Sequence, residues 1–114
     1  MADKPLVWVG SSLDTVRAFP ADARRAAGYQ LRRVQSGFAP NDHKALPTVG
    51  AGVLEIRIHT RTEHRIVYLA KLDEAIYVLH AFEKRSRKTS QADLALARER
   101  LAQVQILRRK SKER

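Results

Sequence analysis

Between Gly52 and Lys88 three apolar, β-rich runs follow one another, GVLEIRIHTRTEHRIVYLAKLDEAIYVLHAFEKRSRK, joined by connections of only a few residues. Such spacing commits this stretch to adjacent antiparallel strands, because a parallel return needs a crossover of a dozen residues or more. From Gly52 to Thr60, Val53, Leu54, Ile56 and Ile58 are apolar while Glu55, Arg57 and His59 fall on the other side, the period of a half-buried strand. Arg61-Thr62-Glu63 turns the chain into a return strand over His64 to Ala70. After Lys71 to Glu74, the run from Ala75 to Phe82 is the most continuously apolar and suits a strand in the middle of the sheet. Basic and histidine side chains lie between or just after the apolar residues of each run. The sheet is therefore expected to have one dry face that holds the core and one cationic face.

The flanking segments add helices. Leu6 to Val9 reads as a short strand closed by Gly10-Ser11-Ser12, and Leu13, Val16 and Phe19 recur at helical spacing. Pro20 separates this short helix from a second one over Ala21 to Gln35, where Ala23, Ala27, Leu31 and Val34 form the inner stripe. Arg24, Arg25, Arg32 and Arg33 form its wet side. Gly37 suits a left-handed helix cap, and residues 38–51 read as a loop. Ser90 with Asp93 resembles a capping box for a last helix ending near Leu107, with Leu94, Ala97, Leu101 and Val104 facing inward. Arg108 to Arg114 reads as a basic, flexible tail. The predicted order is βααβββα, an α+β fold with a mostly antiparallel sheet, in a single domain over residues 1–107.

Charge narrows the function. The chain carries 22 Lys plus Arg against 12 Asp plus Glu, a net charge of +10 over 114 residues, which favours a polyanionic partner, usually nucleic acid. With no cysteine there is no thiolate nucleophile, disulfide or zinc–thiolate site. The first residues, MADKPLVWVGSS, show no charged leader followed by an apolar core, and no apolar run approaches the ~18 residues of a membrane span. A cytoplasmic protein with no membrane contact is the expectation. His43, His59, His64 and His80 are separated along the chain without a convincing ligand spacing, so neither a metal nor another cofactor is expected.

The cations themselves form a pattern. Arg57 belongs to the polar side of the first hairpin strand, Arg65 opens the return strand, and Lys84, Arg85, Arg87 and Lys88 follow the third. Any one of them alone is most simply a solvated side chain. As a set drawn from separate strands they form an anion site, since arginine pairs bidentately with phosphate oxygens and lysine adds a compact charge.

The same residues carry a family likeness. Glu55-Ile56-Arg57, Arg65-Ile66-Val67-Tyr68 and the segment from Leu79 to Arg85, preceded by VQSGFAPNDHKAL with its Lys44, resemble in order the RelE/ParE toxin superfamily, in particular its HigB-like, phage-derived branch. The resemblance implies a RelE-like fold and a toxin of a type II toxin–antitoxin pair that cleaves mRNA on translating ribosomes without a metal, neutralised by a helix-turn-helix antitoxin. It implies catalytic roles for Arg57, Arg65, Lys84 and Arg85; on chemical grounds Lys84, a lysine amid other cations, is the expected base with His80 as runner-up, and Lys44, His64, Arg87 and Lys88 are the expected RNA contacts. No tyrosine follows Arg85, where RelE-type proteins place one. Two alternatives share the basic face: a non-catalytic nucleic-acid-binding module and a gyrase-directed toxin.

Overall fold

The structure, a computed structural model, describes residues 3–113. Eight elements follow in the order β1 (Leu6–Trp8), α1 (Ser12–Arg17), α2 (Ala21–Gln35), β2 (His43–Ala45), β3 (Val53–His59), β4 (Glu63–Leu69), β5 (Ile76–Lys84) and α3 (Gln91–Lys112). All five strands join one sheet in the order β1-β5-β4-β3-β2. The β3–β4 and β4–β5 pairs are antiparallel, as the short connections require, and β1 adds in parallel to β5. Two helices precede the main strands and one follows them, so the α+β arrangement is the expected one. β4 takes the central position and β5 lies one place from the edge.

Both faces of this sheet are dry over much of their area, which corrects the expectation of one apolar and one cationic face. Val16 of α1, Phe19 of the connection that follows it, and Ala27 and Leu31 of α2 pack on Ile56, Ile58, Ile66 and Val78. On the opposite side Ala97, Leu101 and Val104 of α3 pack on Val53, Val67, Leu69 and Leu79. In β3 the alternation changes character partway: Val53 lies under α3, while Glu55, Arg57 and His59 continue the same face beyond it. The polar surface is thus one end of the α3 side.

An irregularity in β5 sets which side chains reach that end. Val67 pairs with His80 but Tyr68 with Val78, which leaves Leu79 as an extra residue. A bulge of this kind shifts the alternation by one. Leu79 and His80 consequently both turn toward α3, Leu79 into its core and His80 to a carboxylate on the helix.

Two boundaries differ from the sequence reading. Residues 38–51 contain the edge strand β2, whose register is His43↔Ile56, Lys44↔Glu55 and Ala45↔Leu54. All three of its residues are exposed, so no hydrophobic alternation marked it; backbone pairing to β3 alone defines it. The last helix continues five residues past Leu107, to Lys112. Nothing in 108–112 breaks a helix, and Arg109, Lys110 and Lys112 suit the negative end of its dipole. The final residue, Arg114, lies outside the described residues. The start of α3 is as expected, with Ser90 Oγ accepting from the Asp93 amide at 3.1 Å.

Arg108 ties the extended part of α3 to the sheet. Its Nε donates to Glu74 Oε2 at 2.7 Å, and the Tyr77 hydroxyl donates to the same oxygen at 2.9 Å. Arg108 first, then a backbone amide, holds the Glu74 carboxyl at about 2, against an ordinary 4.5. A depressed carboxyl contributes stability above its unfolded value and loses it as pH falls toward the folded one. Arg108→Ala is accordingly expected to return the Glu74 titration toward 4.5 and to flatten the acid limb of stability between that pH and about 2. Carboxyl-detected NMR titration checks it, and an unchanged Glu74 midpoint in the variant contradicts the pairing. Among the described residues, no helix is long and apolar enough to cross a membrane.

Candidate functional site

Cross-strand register assembles the polar end of the α3 face in three rows. Lys44, Glu55, Val67 and His80 stand opposite one another, then Arg57, Arg65 and Phe82, then His59, Glu63 and Lys84. Neighbouring strands lie ~4.8 Å apart, so Arg57 and Arg65 sit side by side from different strands. Like charges directly opposite are unfavourable unless a counter-charge separates them.

Glu55 is that counter-charge. Its Oε1 lies 3.7 Å from Arg57 Nε and 3.6 Å from Arg65 Nε, and its side chain is only 4% exposed. Arg65 is nearly as covered, at 7%, whereas Arg57 is 35% exposed and forms the open side. Arg65 also donates from Nη1 to the His64 carbonyl at 3.1 Å and faces Glu63 Oε2 at 3.5 Å. Yet Glu55 Oε2 and the Nε atoms of Arg57 and Arg65 have no hydrogen-bond partner. Buried donors and acceptors are nearly always paired, and here both Nε atoms stay within ion-pair range of Glu55 Oε1 without closing a full hydrogen bond, so the three side chains form a buried charge cluster whose hydrogen bonds are incompletely made. Arg57, the partly exposed member of the cluster, carries guanidinium donors of the kind that pair with anions.

The remaining predicted residues divide. Lys84 shares the face with Arg57 and Arg65, and its Nζ donates to the Arg87 carbonyl at 2.7 Å. Arg85, Arg87 and Lys88 follow β5 on an exposed loop; Arg85 is 85% exposed and pairs with Glu83 at 3.1 Å. Lys44 is exposed on β2, opposite Glu55. None of these cations enters the arginine pair, and Arg85, through Glu83, leans to the face that carries His64.

His64 does not belong to this surface. Its register partners are Ile58 and Glu83, on the other face, where it is 2% exposed against the Phe19 ring at a centroid distance of 4.3 Å. The alternation of β4 puts Arg65 on one side and so His64 on the opposite one, which removes it from any RNA contact there. His80 lies on the correct face but is buried and engaged. Its Nε2 bonds Asp93 Oδ1 at 2.7 Å, its Nδ1 is 3.5 Å from Arg100 Nη1, and its ring stacks on Phe82. With both nitrogens taken, His80 positions the start of α3 rather than offering a base to solvent. Arg100, buried itself, donates to the Leu79 carbonyl and Ser11 Oγ, and burial lowers its pKa.

Sequence reasoning passed over Glu55 and the group around His59. His59 Nε2 meets Asp42 Oδ2 at 2.6 Å and Nδ1 meets Glu63 Oε2 at 2.7 Å. The bond to Asp42, then that to Glu63, raises the His59 pKa, and His59 in return lowers both carboxyls. Alternation had already put Glu55 on the face of Arg57; what it could not supply was that Arg65 of the neighbouring strand shares the same carboxylate. Asp42 could not be linked to His59 from sequence, because the link depends on β2 pairing with β3.

A family model described as Phage derived protein Gp49-like (DUF891) matches residues 14–102, from α1 into α3, and so takes in the four strands β2 to β5 and all the residues of the paired-arginine site. No curated protein matches the chain.

Proposed function

This chain belongs to the phage-derived Gp49-like family, a toxin-like family in the RelE/HigB area, and from that premise we propose that it is the toxin of a type II toxin–antitoxin pair, acting in the cytoplasm as a metal-independent endoribonuclease on mRNA at the translating ribosome. The observation that carries the reading is the Arg57–Glu55–Arg65 cluster with its three unpartnered buried atoms.

In this reading the RNA phosphate seats on Arg57 and Arg65, while Lys44, Arg85, Arg87 and Lys88 hold the flanking backbone. The 2′-hydroxyl oxygen attacks the adjacent phosphorus, and the bond from phosphorus to the 5′-oxygen breaks, giving a 2′,3′-cyclic phosphate and a 5′-hydroxyl. Negative charge grows on the phosphoryl oxygens during this step, and the two guanidiniums are placed to meet it. The proton of the 2′-hydroxyl passes to Glu55, whose Oε2 is an acceptor without a donor. Lys84, on the same face and one row away, supplies a proton to the leaving 5′-oxygen, so the ammonium acts as acid rather than as base. An antitoxin of helix-turn-helix type, with acidic groups to match the +10 charge, is the expected neutralising partner.

The test is to induce the protein alone and map transcript ends by primer extension. New 5′-hydroxyl ends within coding regions support the assignment. Intact transcripts with a DNA-damage response favour the gyrase-directed toxin, and intact transcripts without one favour a binding module.

A further inference from the structure

His59 ends β3 with a carboxylate on each ring nitrogen, Asp42 Oδ2 at 2.6 Å from Nε2 and Glu63 Oε2 at 2.7 Å from Nδ1. A neutral imidazole has one N–H, so only the imidazolium donates to both acids. Both acids also stand beside the arginine pair. The Asp42 carbonyl accepts from the Arg57 amide at 2.9 Å, which continues the register of β2 and sets Asp42 opposite Arg57. Both arginines lie near enough to help lower the Asp42 carboxyl. Glu63 Oε2, the oxygen that His59 holds, is 3.5 Å from Arg65 Nη1.

The other charges around His59 come from every neighbouring element. On this face β2 carries Lys44, β3 carries Glu55 and Arg57, β4 carries Glu63 and Arg65, and β5 carries Lys84, opposite Glu63. Arg61 belongs to the exposed turn between β3 and β4. Loss of the His59 proton leaves one carboxylate against a ring lone pair, and that acid turns to another donor. For Glu63 the donor is Arg65 Nη1, because Lys84 Nζ is engaged by the Arg87 carbonyl at 2.7 Å. For Asp42 it is Arg57, the residue opposite. An arginine paired with a resident carboxylate is less open to a phosphate oxygen, and the site has also lost a positive charge.

We propose that His59 is a positioning residue of the arginine site: as an imidazolium it holds Asp42 and Glu63 off Arg57 and Arg65, and so keeps the pair open to a phosphodiester. The inference rests on the reading that this pair takes an RNA phosphate. His59 itself does not touch the phosphate and acts through the two acids. The bonds to Asp42 and then Glu63 favour the charged ring and lift its titration above the ordinary 6.5. The tighter RNA binding is therefore present below the His59 midpoint and lost as pH rises through it.

The probe is a 2′-O-methyl RNA oligonucleotide, which lacks the attacking hydroxyl, titrated onto the full chain by fluorescence anisotropy from about pH 5.5 to about pH 8.5, beside NMR titration of the His59 ring. Wild-type affinity is expected to fall about fivefold across the His59 midpoint. His59→Gln should bind at the weaker level throughout, without the step. Adding Asp42→Asn and Glu63→Gln to His59→Gln should restore the tighter level, whereas adding Glu99→Gln, which removes an exposed acid of α3 outside the cluster, should not. His59 is half exposed, so these variants keep the core intact. A step that survives in His59→Gln, equal restoration by Glu99→Gln, or a His59 midpoint at or below 6.5 overturns the proposal, while binding that still depends on Arg57 keeps the phosphate reading. Binding indifferent to Arg57→Ala at every pH overturns both.

Discussion

Arg65→Ala is expected to lower the rate of RNA cleavage by about 10²–10³, the usual cost of removing one donor that meets charge developing in a transition state. Arg57→Ala should fall in the same range, and the double variant should cost less than the product, because the two guanidiniums address one phosphate. Arg65→Lys keeps the charge but not the planar fork, and should recover only a small part of the loss. Because Arg65 is buried, each variant needs a thermal melt beside the rate. A folded Arg65→Ala protein that cleaves at the wild-type rate removes the arginine pair from the mechanism.

Glu55→Gln gives the second large effect, and it splits into parts with opposite signs. The substitution leaves two guanidiniums facing each other with no carboxylate between them. Removing one member of a buried ion cluster costs about 3–5 kcal/mol. The loss here should be about 2–3 kcal/mol, since Arg57 remains 35% exposed and water screens it. Affinity for RNA should rise, as the phosphate no longer competes with a resident carboxylate, while kcat falls by about 10²–10⁴ with the proton acceptor gone. Urea unfolding, RNA titration and single-turnover cleavage measure the three parts. Weaker RNA binding together with unchanged kcat would show that Glu55 only braces the arginines.

Much of the fold was legible because it rests on local signals. The Glu55-Ile56-Arg57 alternation, the short connections around Arg61 and Lys71, and the Ser90–Asp93 cap each act within a few residues, and each is where the sequence reading put it. β2 was not legible, since three exposed residues carry no hydrophobic pattern and become a strand only when β3 supplies the hydrogen bonds. The helical state of 108–112 was missed for a related reason: a run of basic residues reads as solvated chain until Glu74, 34 positions away, provides an anchor.

The candidate site shows the same division. That Arg57 lies on the polar side of its strand follows from alternation alone, and a net charge of +10 already argued for a polyanion. His64 could have been excluded by that argument, because it is adjacent to Arg65 and must face the other way. His80 and Lys84 could not be placed, because nothing local announces the extra residue at Leu79. Without it the alternation from Tyr77 would send Glu83, not Lys84, to the arginine face. Composition and period therefore determined that this chain builds a basic sheet between helices. Pairing across strands decided which cations meet, since a one-residue shift in a structure of period two exchanges the faces of every residue that follows.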